Sequence, residues 1–270
     1  MRFRLLALFF AGLGWNVGAV EPDQAVVLYR AGRQAEAEIV FRQRLAERPE
    51  CAETRCYLGK LAIRRGDYPA ATELLEQAVA LAPRESEYHH WLGNSLAWAA
   101  AGAPFREKAA LGRRCLAAYR HALELDPDNL RARFSLMNFY RHVPRLLGGG
   151  LGRAREEAAE IHRRDPVEGA YARAVLQAQE EDFAAAFSSL REVLARQPGH
   201  YAANHLLGQV ALASGERLAE GAYALRRCLE LEPTETDAGH EAVVRCLGEL
   251  RARGAGTEPS EVARRVGASG

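Results

Sequence analysis

The sequence predicts an all-α solenoid of antiparallel helix pairs, and three observations carry that prediction. Proline-containing stops recur at Arg48-Pro49, Ala82-Pro83, Asp126-Pro127, Asp165-Pro166, Gln197-Pro198 and Glu232-Pro233, spaced by 34, 44, 39, 32 and 35 residues. A Leu-Gly pair recurs in phase with them, as Leu58-Gly59, Leu92-Gly93, Leu207-Gly208 and Leu247-Gly248. The residues between the stops are rich in Ala and Arg, both strong helix formers. Proline cannot continue a helix and restricts the residue before it, so each stop fixes a turn between units. With 48% hydrophobic residues in 270, the chain has material for a continuous core, and stacked repeats bury it along one axis.

Taken in order, the first element differs in kind from the rest. Arg2 and Arg4 precede the apolar run 5–15, and Val17-Gly18-Ala19 supplies small residues at a cleavage site. This is the pattern of a secretory signal peptide over 1–19, cut near Ala19, and it predicts an exported, periplasmic protein. The competing reading is a retained anchor. A spanning helix needs about 20 apolar residues, whereas this run is shorter and is interrupted by Gly12, Gly14 and Asn16. No membrane span is therefore expected after cleavage.

The solenoid is expected over 20–253. Its first unit pairs a helix near 23–31 with one over 33–48, and five further pairs end at Pro83, Pro127, Pro166, Pro198 and Pro233. A last helix, roughly 236–253, has no second partner and is expected to cap the stack. The tail 254–270 is rich in Gly, Ser and Glu and is expected to be flexible. Two units exceed the period, with insertions near 99–111 and 142–152.

The second unit carries Leu58-Gly59, Ala71, Leu75, Ala78 and Pro83, with Gly66-Asp67-Tyr68 at its internal turn. On these residues, and on the 34-residue period, the chain resembles the tetratricopeptide-repeat family. That resemblance implies a right-handed superhelix whose first helices line a concave groove that binds protein or peptide. In the fourth unit Leu136-Met137 replaces Leu-Gly, so a slightly wider crossing is expected there. Leu125-Asp126-Pro127, then Phe139-Tyr140 through Pro144 to Gly148-Gly149, resemble a subgroup of exported bacterial members with a P-x-x-x-GG turn. The stretch Ala213-Ser214-Gly215-Glu216 with 225–229 looks similar to the same subgroup.

Charge and cysteine usage bound the function. Thirty-six Lys+Arg against 35 Asp+Glu leave a formal charge of +1, which lacks the clustered basic face of a nucleic-acid binder. Cys51, Cys56, Cys115, Cys228 and Cys246 match no zinc spacing and read as small apolar fillers. An odd count leaves at least one unpaired within the chain; pairs Cys51–Cys56 and Cys228–Cys246 stay open.

No cofactor, metal or catalytic residue is expected. The glycine-rich loop 148–152 could present N–H groups to an anion, but no Lys-Ser/Thr follows, and a tight turn is the simpler reading. His89, His90, His121 and His142 fall in the middle units, but the adjacent pair diverges on a helix, so groove or surface histidines are expected rather than zinc ligands. Binding is expected on the groove instead. The residue after each Leu-Gly pair or its equivalent is Lys60, Asn94, Asn138 and Gln209, a ladder of polar groups suited to an extended peptide. One turn on lie Arg64, Trp98 and His142, and His90 joins them as a groove histidine. The alternative is that these positions are merely solvated, with Trp98 packed on its insertion. The groove lacks most of the lysines of the family's carboxylate-clamp members. The sequence thus predicts a non-catalytic scaffold or adaptor for a protein or peptide; the alternatives are an architectural or oligomerisation module and a metal- or phosphate-binding protein.

Overall fold

The computed structural model describes residues 23–254 apart from Thr236, and not the side chain of Phe105. The expected signal peptide and all but the first residue of the expected tail lie outside the described residues.

Among the described residues the chain is thirteen α-helices, one short 3₁₀ helix and no strand. The helices are α1 (Gln24–Arg30), α2 (Gln34–Glu47), α3 (Ala52–Arg64), α4 (Tyr68–Leu81), α5 (Ser86–Gly102), α6 (Phe105–Leu125) and α7 (Leu130–His142). After the 3₁₀ helix η1 (Arg145–Leu147) come α8 (Leu151–Arg164), α9 (Pro166–Gln179), α10 (Phe183–Arg196), α11 (Tyr201–Ser214), α12 (Leu218–Leu229) and α13 (His240–Ala252). Each odd helix from α1 to α11 packs on the even helix after it, and α5 also touches the odd helices α3 and α7, as α11 touches α9 and α13. The array therefore curves with its odd helices inside. This is the all-α tetratricopeptide-type solenoid that the sequence predicts.

Local chemistry starts and stops these helices. The side chains of Asp23, Asp67, Asn129, Asp165, Asp182 and His200 accept N–H groups from the first turns they precede, satisfying donors that have no helical partner. Gly32, Gly66 and Gly215 take left-handed backbone between paired helices, where a side chain would be strained. The α9–α10 turn has no glycine, and Glu181 adopts that conformation at φ 60°.

The Leu-Gly pairs act where helices meet. A Cβ at Gly59 would lie 2.7 Å from Leu75, one at Gly93 2.4 Å from Tyr119, and one at Gly208 2.4 Å from Leu225. At Gly248 nothing lies within 4 Å, as fits a helix with no following partner among the described residues. Met137, at the position without glycine, is fully buried in the core shared by α5 to α9.

The extra residues of the third unit do not form a loop. They lengthen α5 and α6 into a long hairpin, joined through Ala103 and Pro104. Those of the fourth unit form η1 and the glycine turn. The segment after α12 folds inward. The Tyr201 hydroxyl donates to the Ala238 carbonyl at 2.7 Å, and His240 Nε2 lies 2.9 Å from the Leu231 carbonyl. Glu235 is thereby carried to Lys60 of α3, with 3.4 Å between Oε2 and Nζ, so the coil closes on itself.

Candidate partner-binding groove

The inner face divides into three regions, built from different residues. The first lies between the N-terminal helices and the inward-folded segment. Lys60 is 6% exposed, and its ammonium sits 4.9 Å from the Tyr57 ring centroid and 4.7 Å from that of Trp91. Glu87 Oε1 and Glu235 Oε2 each lie 3.4 Å from Nζ. Glu87 also accepts from Trp91 Nε1 at 2.7 Å and stands 3.4 Å from Arg131 Nη1. Burial pushes the Glu87 carboxyl up, but His90, Lys60 and Trp91 outweigh it and hold it well below the usual carboxylate range. Arg64 is exposed beside this region, over the Tyr29 ring at 5.4 Å.

The second region crosses α7, α9 and α11 and bounds a groove of about 970 Å³. Phe134 stacks on Tyr171 at 5.4 Å with planes 8° apart, and Tyr171 meets the His200 ring at 5.0 Å. This makes a continuous aromatic track over three consecutive units. Asn138 and the exposed Gln209 line the same groove, as does the buried His90. His90 Nε2 lies 3.0 Å from Ser135 Oγ and 3.1 Å from Asn94 Nδ2.

The third region is a cleft between the long hairpin and the α7–η1 turn, where Asn94, Trp98, Asn138 and His142 fall. Asn94 accepts from the Tyr119 hydroxyl at 2.8 Å, so its amide is partly used within the fold. Trp98 is 53% exposed and stacks on Tyr68 at 6.1 Å. The expected single ladder is thus distributed: Lys60 and Arg64 in the first region, His90, Asn138 and Gln209 in the second, and Asn94, Trp98 and His142 with Asn138 in the third.

Sequence reasoning missed the rings. Tyr57 and Trp91 immediately precede Leu-Gly pairs, and Tyr171, like them, is the sixth residue after its helix cap. An aromatic residue six positions after the helix cap is the signal that finds all three, whereas the polar ladder is read from the residue just after the Leu-Gly pair.

The glycine loop is a turn. Its Gly148, Gly149 and Gly150 N–H groups donate to the carbonyls of Arg145, Pro144 and Tyr140, and a Cβ at Gly149 would lie 1.8 Å from the Val143 oxygen. No donor is left over for an anion at these three residues. His89 Nε2 lies 2.9 Å from the Pro83 carbonyl and its ring meets that of His121 at 4.5 Å. Among the described residues no three His, Cys, Asp or Glu side chains converge as a metal site. All five thiols are unpaired and all but Cys51 are buried; burial pushes Cys56, Cys115 and Cys228 up to about 12. No described helix is long and apolar enough to cross a membrane.

Comparison with known proteins agrees with this architecture. The family model described as Tetratricopeptide repeat matches residues 28–93. None of the curated proteins matches the sequence. Among solved structures, a thermophilic TPR protein of Thermus thermophilus, TTC0263, is similar with a TM-score of 0.58 at 18% identity, over 76% of this chain and 95% of that one. The human IFIT1 dimer with PPP-AAAA is similar with a TM-score of 0.50 at 19% identity, over 76% of this chain and 53% of that one. Residues 28–93 thus carry tetratricopeptide-repeat sequence, and the described helices share the fold of a solved TPR protein.

Proposed function

We propose that this protein is an exported, non-catalytic adaptor that holds an extended segment of a protein partner along the inner face of α7, α9 and α11. The observation that carries the reading is the Phe134–Tyr171–His200 track, flanked by the amides of Asn138 and Gln209. Rings offer large contact area at small entropic cost. Amides both donate to and accept from a peptide backbone. Export is supported by Arg2, Arg4, the apolar run 5–15 and the small residues ending at Ala19.

Selection of a displayed peptide library on the full chain tests the groove. Enriched peptides should bind saturably, and Tyr171→Ala should weaken them at least about tenfold, the loss typical of an aromatic anchor, with helical circular dichroism unchanged. Peptides that bind Tyr171→Ala and Gln209→Ala as tightly as the parent would remove the assignment. Export is tested by fusing 1–22 to a reporter active only outside the cytoplasm; a silent fusion overturns that half.

A further inference from the structure

We propose that the cleft between the α5–α6 hairpin and the α7–η1 turn, which shares Ser135, Asn138 and Arg141 with the groove of the aromatic track, is a second site that binds a linear amphiphile with one carboxylate, a free medium-chain fatty acid. It does not depend on the groove reading above.

The cleft holds about 840 Å³, within the range of small-ligand pockets, which are mostly apolar with a few polar groups that fix orientation. Trp98, Ala101 and Gly112 of the hairpin and Phe139, Val143 and Leu147 of the α7–η1 segment line it. Trp98 and Leu147 are 53% and 49% exposed, so apolar surface is left facing water at its mouth, a state that burial against a ligand chain relieves.

Charge selects the head group. The charged side chains lining the cleft are Lys108, Arg113 and Arg141, and no carboxylate lines it. Among the described residues Lys108 and Arg113 make no ion pair. Arg141 bonds only two neutral amides through its side chain, Asn138 Oδ1 at 2.8 Å and Gln179 Oε1 at 3.0 Å. Burial pulls Arg141 below its ordinary value, so its charge lacks compensation. Arg114, on the same helix as Arg113, by contrast pairs with Glu76. Burial also pulls His142 down, with the Arg141 charge acting in the same direction, which favours its neutral form. An excess of cations beside an apolar cleft complements an apolar chain ending in an anion. A carboxylate also matches the planar fork of an arginine.

Gly112 provides the test. It lies within α6 without positive φ, and a Cβ there would meet nothing within 4 Å. Gly112→Phe therefore fills the cleft without backbone strain and improves helix propensity. Calorimetric titration of the delipidated full chain with sodium dodecanoate should show one saturable site. Gly112→Phe should weaken it at least about tenfold, and Lys108→Gln with Arg141→Gln about tenfold, as expected for loss of charge-assisted bonds. Dodecan-1-ol should bind the parent about tenfold more weakly than dodecanoate for the same reason. The double variant keeps the test alive should Gly112→Phe fail to fold. No saturable heat with the parent, dodecanoate binding by folded Gly112→Phe equal to the parent, or equal affinity for acid and alcohol would each overturn the site.

Discussion

Glu87 is the residue on which the N-terminal end of the inner face turns. It faces Lys60, His90, Trp91 and Arg131 at once, and Lys60 behind it is almost wholly buried. Removing one member of a buried pair leaves the other charge uncompensated. Glu87→Gln should therefore cost about 1–3 kcal/mol at pH 7, discounted because the carboxylate is partly exposed, as read by urea unfolding. The carboxyl is held below its ordinary value of 4.5, so its contribution is fully present above that pH and is lost as pH falls through the lower folded value. The gap between parent and variant should be constant from pH 7 to 5 and narrow below about 4.5; a gap that widens in acid would contradict the assignment. Lys60 was legible in the sequence as a groove position, but its setting was not. The Tyr57 ring lies one turn back on the same helix, but the Trp91 ring comes from α5, and Glu235 arrives from the far end of the chain.

At the scale of the element, the turns between paired helices show which rules are local. Three of them place a glycine in left-handed backbone, Gly32, Gly66 and Gly215, whereas the α9–α10 turn places Glu181 there. Left-handed backbone costs an ordinary residue roughly 1–2 kcal/mol, and glycine gives back about half of that as lost chain entropy. Glu181→Gly should thus stabilise the protein by about 0.5–1 kcal/mol, seen as a raised urea midpoint with an unchanged slope. A lower midpoint would show that the Glu181 side chain contributes more than its strain. The proline stops, the glycine turns and the Leu-Gly contacts were readable because each depends on a few adjacent residues. The fate of the insertions was not. Residues 99–111 carry helix-forming Ala, Lys and Arg, so they extended two helices, and the cleft exists because those extensions outrun their neighbours.

At the scale of the whole molecule, a repeat array normally contacts itself only between neighbours, which is what period and spacing encode. The Lys60–Glu235 contact breaks that rule across 175 residues, and nothing periodic could announce it. It makes the coil's curvature depend on a side-chain pair as well as on stacking. Glu235→Gln should open the coil, raising the radius of gyration in X-ray scattering of the full chain while helical content stays constant. The accompanying stability loss should be about 0.5–1 kcal/mol, as for a partly exposed pair. Superimposable scattering curves would mean that stacking alone sets the curvature.

A solenoid is an elastic element, and the Lys60–Glu235 clasp fixes this one at the short end of its travel. Pulled from its two ends, the molecule would first release a single ionic catch and lengthen by uncoiling, with every helix intact, before any unit came undone. A tether of that kind responds to small loads by a step and to large ones by stiffness.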